Sequence, residues 1–296
     1  EFSNMITGAG WVSIGPGYRH WLWNDKAYYD ASAAVSWHLY TMGQTRLVAP
    51  DLGKHHVALG TQVMWQDQTQ INFFGVGPDS LESQKSQYQL KSTDAVGWAS
   101  FRPWESWTLG GDAGYLFSPH VSNPTGTFKP NVPTTTEEFP QVPGVSTPDQ
   151  PNYIHAEAAF TGDTRDYRGH PTRGGLYRAA VEQFSDQDTG LFTFRQYQAD
   201  ALQLIRLKGP DWVLGFHGWL VTSDVATDHE VPFYFLPSLG GATTLRSFSN
   251  YRFHDQNLAL VNAESRWAVF QHVDFTAAQD LVEPDDAWRA IRPDPD

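Results

Sequence analysis

Two aspartates flank an arginine in Asp163-Thr164-Arg165-Asp166, and Pro171-Thr172-Arg173-Gly174-Gly175 follows closely. Paired carboxylates beside a guanidinium can act as general acid and base, and sugar cleavage in particular needs two carboxyl groups ~5–10 Å apart across a groove. The same residue types also make charged turns that tie two strand ends, and the short spacing favours that use. The chain has no cysteine, which excludes thiolate nucleophiles, thiolate metal sites and a disulfide scaffold. His55 and His56 are adjacent rather than at ligand spacing, so they read as a strand-end pair and no metal site is expected. Asn72-Phe73-Phe74-Gly75-Val76-Gly77 carries a strand into a glycine-rich loop but lacks the strand-then-helix context of a phosphate cradle. No cofactor signature is present, and the chain is not read as an enzyme.

A third segment stands out more sharply. Leu239-Gly240-Gly241-Ala242-Thr243-Thr244-Leu245-Arg246-Ser247-Phe248 is followed by Tyr251-Arg252-Phe253. Paired glycines let the backbone turn where a side chain would clash. An arginine at the tip of a confined loop needs a carboxylate, because an unpaired charge there is costly. The next strand pattern sets Asn262, Glu264 and Arg266 on one polar face, and Glu264 is placed to be that partner.

The elements that must position these groups are strands. Val35, Trp37 and Leu39 alternate with Ser36, His38 and Tyr40. Val57, Leu59, Val63 and Trp65 oppose Gln62 and Gln66; Trp107, Leu109, Ala113, Tyr115 and Phe117 share a parity. Trp212, Leu214, Phe216 and Leu220 oppose His217; Ala259, Val261, Ala263, Trp267 and Val269 oppose Asn262, Glu264 and Arg266. Each is the period-two signal of a strand with one apolar face. About eleven strands are expected, centred near residues 14, 38, 65, 94, 112, 157, 180, 199, 217, 264 and 275, with Phe192–Leu207 read as one long continuous element and much of Lys26–Val48 as another. The long connections 118–152 and 223–256 fall at one end of such a meander, and the tight turns 102–106 and 208–211 at the other. Long loops on one side and short turns on the other are the asymmetry of an outer-membrane barrel. Twelve Trp, twelve Tyr and eighteen Phe suit membrane interfaces. Trp21, Trp23, Phe73, Phe74, Trp104, Trp107, Trp212, Phe233–Phe235 and Phe270 are expected to form two girdles near strand ends. The net charge of −13 argues against nucleic acid as a partner. The opening residues lack a charged-then-apolar leader pattern, so the chain is expected to be mature or cut.

The segment LGGATTLRSFSNYRFHD followed by NAESRW resembles the loop-six signature of the bacterial surface antigen family, in the BamA/TamA-type superfamily of outer-membrane assembly barrels. The resemblance rests on Gly240, Gly241, Leu245, Arg246, Ser247 and Phe248, with Glu264 and Arg266 in the following Glu-x-Arg. NFFGVG and the turn residues Asp163, Arg165, Asp166, Pro171 and Gly174 also match segments recurrent in that family. It runs from about Gly8 to Thr276, and no POTRA repeat is recognisable ahead of it in this sequence, so the chain is expected to be most similar to members lacking them. The resemblance implies an all-β, antiparallel transmembrane barrel of sixteen strands, here partial or open, over residues 1–280, with a non-family charged tail at 281–296. It implies a bacterial outer-membrane location, outer-membrane lipid as surroundings, and unfolded outer-membrane proteins or lipids as clients. It implies that Arg246 anchors loop six in the lumen against Glu264. Three departures stand out. Ser247 replaces a family glycine. Ala277-Ala278-Gln279-Asp280 replaces an expected Asp-x-Gly strand whose acid would also meet the loop arginine. About nine strands precede the loop and one or two follow, which suggests truncation at both ends. A passive outer-membrane pore and a soluble carbohydrate-binding or glycoside-cleaving β protein are the alternatives.

Overall fold

A strand with alternating apolar and polar residues presents one row to each face of its sheet, and a face of one character must then find a matching medium. The computed structural model describes residues 2–3, 12–126, 131–147, 150–208, 212–241, 244–270 and 273–283. Its strands are β1 (Phe2–Ser3), β2 (Ser13–Ile14), β3 (Gly17–Leu22), β4 (Ala27–Ser36), β5 (Thr41–Leu52), β6 (Val57–Phe73), β7 (Ser86–Trp104) and β8 (Trp107–Ser122). After a four-residue helix, α1 (Thr135–Glu138), come β9 (Tyr153–Asp163), β10 (Gly174–Asp186), β11 (Phe194–Lys208) and β12 (Trp212–Val225). A small ribbon, β13 (Ser238–Leu239) with β14 (Phe253–His254), precedes β15 (Asn257–Phe270) and β16 (Val273–Glu283). All but the ribbon form one 14-stranded antiparallel sheet, from β1 at one edge to β16 at the other, with β2 and β3 both lying along β4. Among the described residues no ladder joins the two edges, so the barrel is open. The proposed tail lies outside the described residues from position 284 onward.

The expected eleven strands are too few. Lys26–Val48 is a hairpin, not one element: β4 ends at Ser36, the chain turns with Leu39 at φ 61°, and β5 starts at Thr41. The turn preserves parity, because Trp37 and Leu39 stay exposed while Ser36 and Tyr40 are buried. A turn that keeps the alternation in step is invisible to a period-two reading. Twelve strands of the sheet precede loop six and two follow. The strand expected over 192–207 is β11.

The ends are asymmetric as expected. Connections 37–40, 74–85, 123–152, 187–193 and 226–256 share one end; 23–26, 53–56, 105–106 and 164–173 share the other, while 209–211 and 271–272 lie outside the described residues. The faces also separate. Leu47, Leu59, Val63, Trp65, Leu109, Phe160, Tyr197, Ile205, Phe216 and Val261 are exposed large apolar groups on one face. The opposite face carries carboxylates, arginines and histidines in contact with one another.

Near the long-loop end that inner face turns apolar. The pairing of β6 with β7 shifts between Gln68 and Ile71, a bulge that reverses which parity points inward. Ile71 and Phe73 therefore join Tyr88, Tyr153, Phe184 and Phe194 in a buried cluster with Phe139, Val145, Val231 and Phe233 from the two long loops. Phe233 meets Phe73 edge-on at 5.3 Å and Tyr88 at 4.7 Å. The long loops thus fold onto the inner face and cap it.

This corrects part of the girdle reading. Phe73, Phe74 and Phe233 are fully buried in loop packing, and Phe235 packs tilted against Phe184 and edge-on to Tyr153. Trp21 packs edge-on against Tyr28 on the face that carries Asp30. Trp23, Trp104 and Trp212 remain exposed at the short-turn end, and the Phe270 side chain lies outside the described residues.

Candidate functional site

Loop six returns from β12 to β15 across the inner face. Gly240 sits at φ 132° and Gly241 at φ 85°, conformations that L side chains rarely adopt. A Cβ on Gly240 would run into the Ser249 carbonyl, and one on Gly241 into the Asn250 side chain. The Gly240 amide donates to Thr244 Oγ1 at 2.9 Å, whose hydroxyl returns a bond to the Gly240 carbonyl at 3.0 Å, and the Gly241 amide donates to the Phe248 carbonyl at 3.0 Å. This closed turn drives Leu245 into a buried cluster with Leu239, Leu258 and Leu260. Ser247 is exposed and outside the left-handed region, so serine fits there without strain. Phe248 stands half exposed, edge-on to Phe253.

β15 carries Asn262, Glu264 and Arg266 on its inward face in the expected row. Arg246 pairs with Glu264, both partly exposed to water. The Arg246 amide also donates to Asp280 Oδ2 at 3.2 Å, and Asn262 Nδ2 donates to Asp280 Oδ1 at 2.7 Å. Asp280, in the segment where the expected acid motif is missing, therefore supplies a carboxylate to the loop arginine from β16. Its side chain shares the inward face of its ladder partner Asn262, a relation that only the β15–β16 register reveals. Arg266 turns away from the loop tip and donates to the Pro171 carbonyl. A cleft of about 610 Å³ lies between the loop and β16, lined by Leu245, Phe248, Phe253, Leu258, Ala278 and Asp280 among others.

The glycine-rich segment after β6 meets the second half of loop six, which the sequence did not foretell. The Gly77 amide donates to the His254 carbonyl at 2.8 Å. Arg252 Nη1 donates to Ser80 Oγ at 2.8 Å and Nη2 to the Ser80 carbonyl at 2.6 Å. Its guanidinium lies over the Phe74 ring at 5.1 Å and the Phe253 ring at 4.4 Å. His254 is buried against Phe73, and that burial pushes its pKa down to about 3.

The aspartate pair forms a structural turn. Arg165 makes a two-pronged contact with Asp163 at 2.8 and 3.0 Å, and Arg168 adds a third at 3.1 Å. Asp166 accepts from the amides of Tyr167, Thr172 and Arg173, from the Thr172 hydroxyl at 2.6 Å and from Arg206 at 3.0 Å. The Thr172 bonds hold its carboxyl below the usual carboxylate range. With so many donors engaged, neither carboxylate is poised as a proton donor or acceptor for a substrate. Gly174, at φ 90°, brings the chain back to β10, where a Cβ would strike the Thr164 carbonyl. Arg206 from β11 and Arg266 from β15 share the row of Val213, so both arginines clamp this turn onto the inner wall.

One further group escaped the sequence reading. His155 Nε2 lies 3.0 Å from Asp94, and its Nδ1 lies 3.7 Å from Glu182 and 4.0 Å from Asp112. Gly114, its cross-strand neighbour, makes room for the ring. Glu157 pairs with Arg178, which also reaches Gln198 at 2.9 Å; two strands on, His217 joins Asp200 at 3.0 Å and Asn262 at 2.9 Å. The result is a polar belt around the inner wall. The signal was present in Tyr153-Ile154-His155-Ala156-Glu157-Ala158, where the ionisable residues share a parity, but which acids faced the histidine depended on four strands in register.

A family model described as the Omp85 superfamily domain matches residues 28–275. Among solved structures, the chain is similar to BamA from Haemophilus ducreyi lacking POTRA domains 1–3, with a TM-score of 0.73 and 16% sequence identity. That match covers 96% of this chain and 57% of the other, so the chain spans little more than half of the structure it resembles. No curated protein matches.

Proposed function

Because the chain belongs to the Omp85 superfamily, we propose that it is an integral β-barrel of the bacterial outer membrane that takes part in inserting or translocating outer-membrane proteins, or in handling lipids. The observation that carries this reading is the separation of faces. Val63, Leu109, Phe160, Phe216 and Val261 stand exposed on one side of a sheet whose other side holds the polar belt. An apolar area spread over so many strands is not left facing water by a stable soluble protein. Lipid is the medium that matches it, and strands pairing side by side satisfy the backbone that lipid cannot.

Loop six is then a plug segment, and the Arg246–Glu264–Asp280 group sets the register of its tip against β15 and β16. The clients, by the family's character, are unfolded outer-membrane proteins or lipids, presented at an edge such as β16 whose outer hydrogen-bonding groups can template a further strand. The capping of the inner face by aromatic loop residues opposes a permanently open pore. The soluble carbohydrate reading loses its main support, because Asp163 and Asp166 are consumed by the turn.

The test is flotation. After alkaline carbonate washing of cells expressing the full coding sequence, the protein is expected to stay with the outer-membrane fraction and to float with its lipid. Recovery in the aqueous supernatant without detergent would overturn the reading.

A further inference from the structure

We propose that loop six is held on the inner wall mainly by Arg252, through a clasp on the connection between β6 and β7, and that Arg246 serves only to register the loop tip. The two arginines differ in surroundings. The Arg246 and Glu264 side chains keep 45% and 39% of their exposure, and an ion pair so open to water is screened and contributes little. Arg252 as a residue is only 8% exposed. It is bound by two charge-assisted hydrogen bonds to Ser80 and sandwiched between two aromatic rings. A buried cation that loses such partners leaves uncompensated polar groups behind, so its removal is costly.

The receiving surface is built for this. Gly75 and Gly77 take φ of 93° and 96°, which lets the segment Phe74–Ser80 fold back and present the Ser80 carbonyl and hydroxyl together. Phe74 is fully buried beneath the guanidinium, and the Gly77–His254 hydrogen bond ties the same two segments together two residues beyond Arg252 and three before Ser80. Arg252 and Ser80 are 172 residues apart in sequence, and the six strands β7 to β12 lie between their connections, so the clasp spans the inner face. The glycine-rich motif after β6 thereby gains a role as the socket for loop six. The clasp is read from the folded chain alone and stands whatever the barrel handles.

The absence of native cysteine permits a clean test in the full chain, folded in detergent or bilayer. Leu239 is fully buried where the loop docks, so a Leu239→Cys background reports undocking through its rate of modification by a water-soluble maleimide. Arg252→Ala is expected to raise that rate at least tenfold, Arg252→Lys to give an intermediate rise, and Arg246→Ala to change it less than threefold. Heat-modifiable gel mobility identifies variants whose barrel is folded. Should Arg252→Ala fail to fold, Phe74→Leu, which keeps apolar volume but removes the ring, is expected to raise the rate more than threefold. A rate unchanged in folded Arg252→Ala, or in Phe74→Leu where that variant decides, would overturn the proposal. So would a larger effect from Arg246→Ala than from Arg252→Ala.

Discussion

At Gly240 the backbone takes φ 132° and leaves no space for a side chain beside the Ser249 carbonyl. Gly240→Ala therefore imposes both a strained conformation and a clash, and is expected to destabilise the protein by about 1–3 kcal/mol, read as a lowered midpoint of thermal unfolding in detergent. Arg246→Ala removes a water-exposed pair and is expected to cost about 1 kcal/mol or less. His254 brings a pH dependence. Burial depresses its folded pKa to about 3, below the ordinary imidazole value of 6.5, so the unfolded chain binds the extra proton between those values. The stability contributed by keeping His254 neutral is present above about pH 6.5 and is lost as pH falls toward 3. His254→Phe is expected to flatten that part of the stability–pH curve, as followed by protease resistance of loop six from pH 7 to 4. The residue scale was partly legible: the glycine pair, Arg246 and Glu264 declared themselves by type and spacing. Arg252, Ser80 and Asp280 did not, because their partners lie in segments that only the folded sheet brings near.

At the level of single strands, alternation alone revealed most elements and most of their faces. It failed where geometry breaks the count. The bulge after Gln68 turns Phe73 inward against the parity of Leu59 and Val63, so a residue expected at a membrane interface instead packs in the loop cap. The hairpin at 37–40 failed in the opposite way, by keeping the parity intact. Faces set the cost of substitution. Val63 lies on the outward row of β6, and under the proposed membrane location Val63→Arg is expected to cost about 2–4 kcal/mol, measured by folding titrations into bilayers. Gln62→Glu, its inward neighbour, lies opposite Arg46 and is expected to stay within about 0.5 kcal/mol of the parent. Gly114→Val would press a side chain into the His155 ring and is expected to destabilise by about 1–3 kcal/mol through overpacking.

For the molecule as a whole, the fold class and the sidedness of its loops could be read before any coordinates, because both follow from repeated local patterns. The aromatic cap and the polar belt could not, since each is assembled from residues of many strands whose register the sequence does not state. Together they describe a sheet that is apolar outside, charged inside and covered at one end by its own loops, the arrangement on which the proposed membrane location rests. The most direct test uses the absence of native cysteine. Spin labels placed one at a time along β6 from Leu59 to Gln66, in protein reconstituted in bilayers, report contact with lipid-dissolved oxygen and with a water-soluble nickel chelate. Oxygen contact is expected to peak at Leu59, Thr61, Val63 and Trp65, and nickel contact at Gly60, Gln62, Met64 and Gln66. Nickel contact as high at Val63 and Trp65 as at Gln62 and Gln66, with no alternation, would show that the outward row faces water and would contradict the membrane-embedded reading.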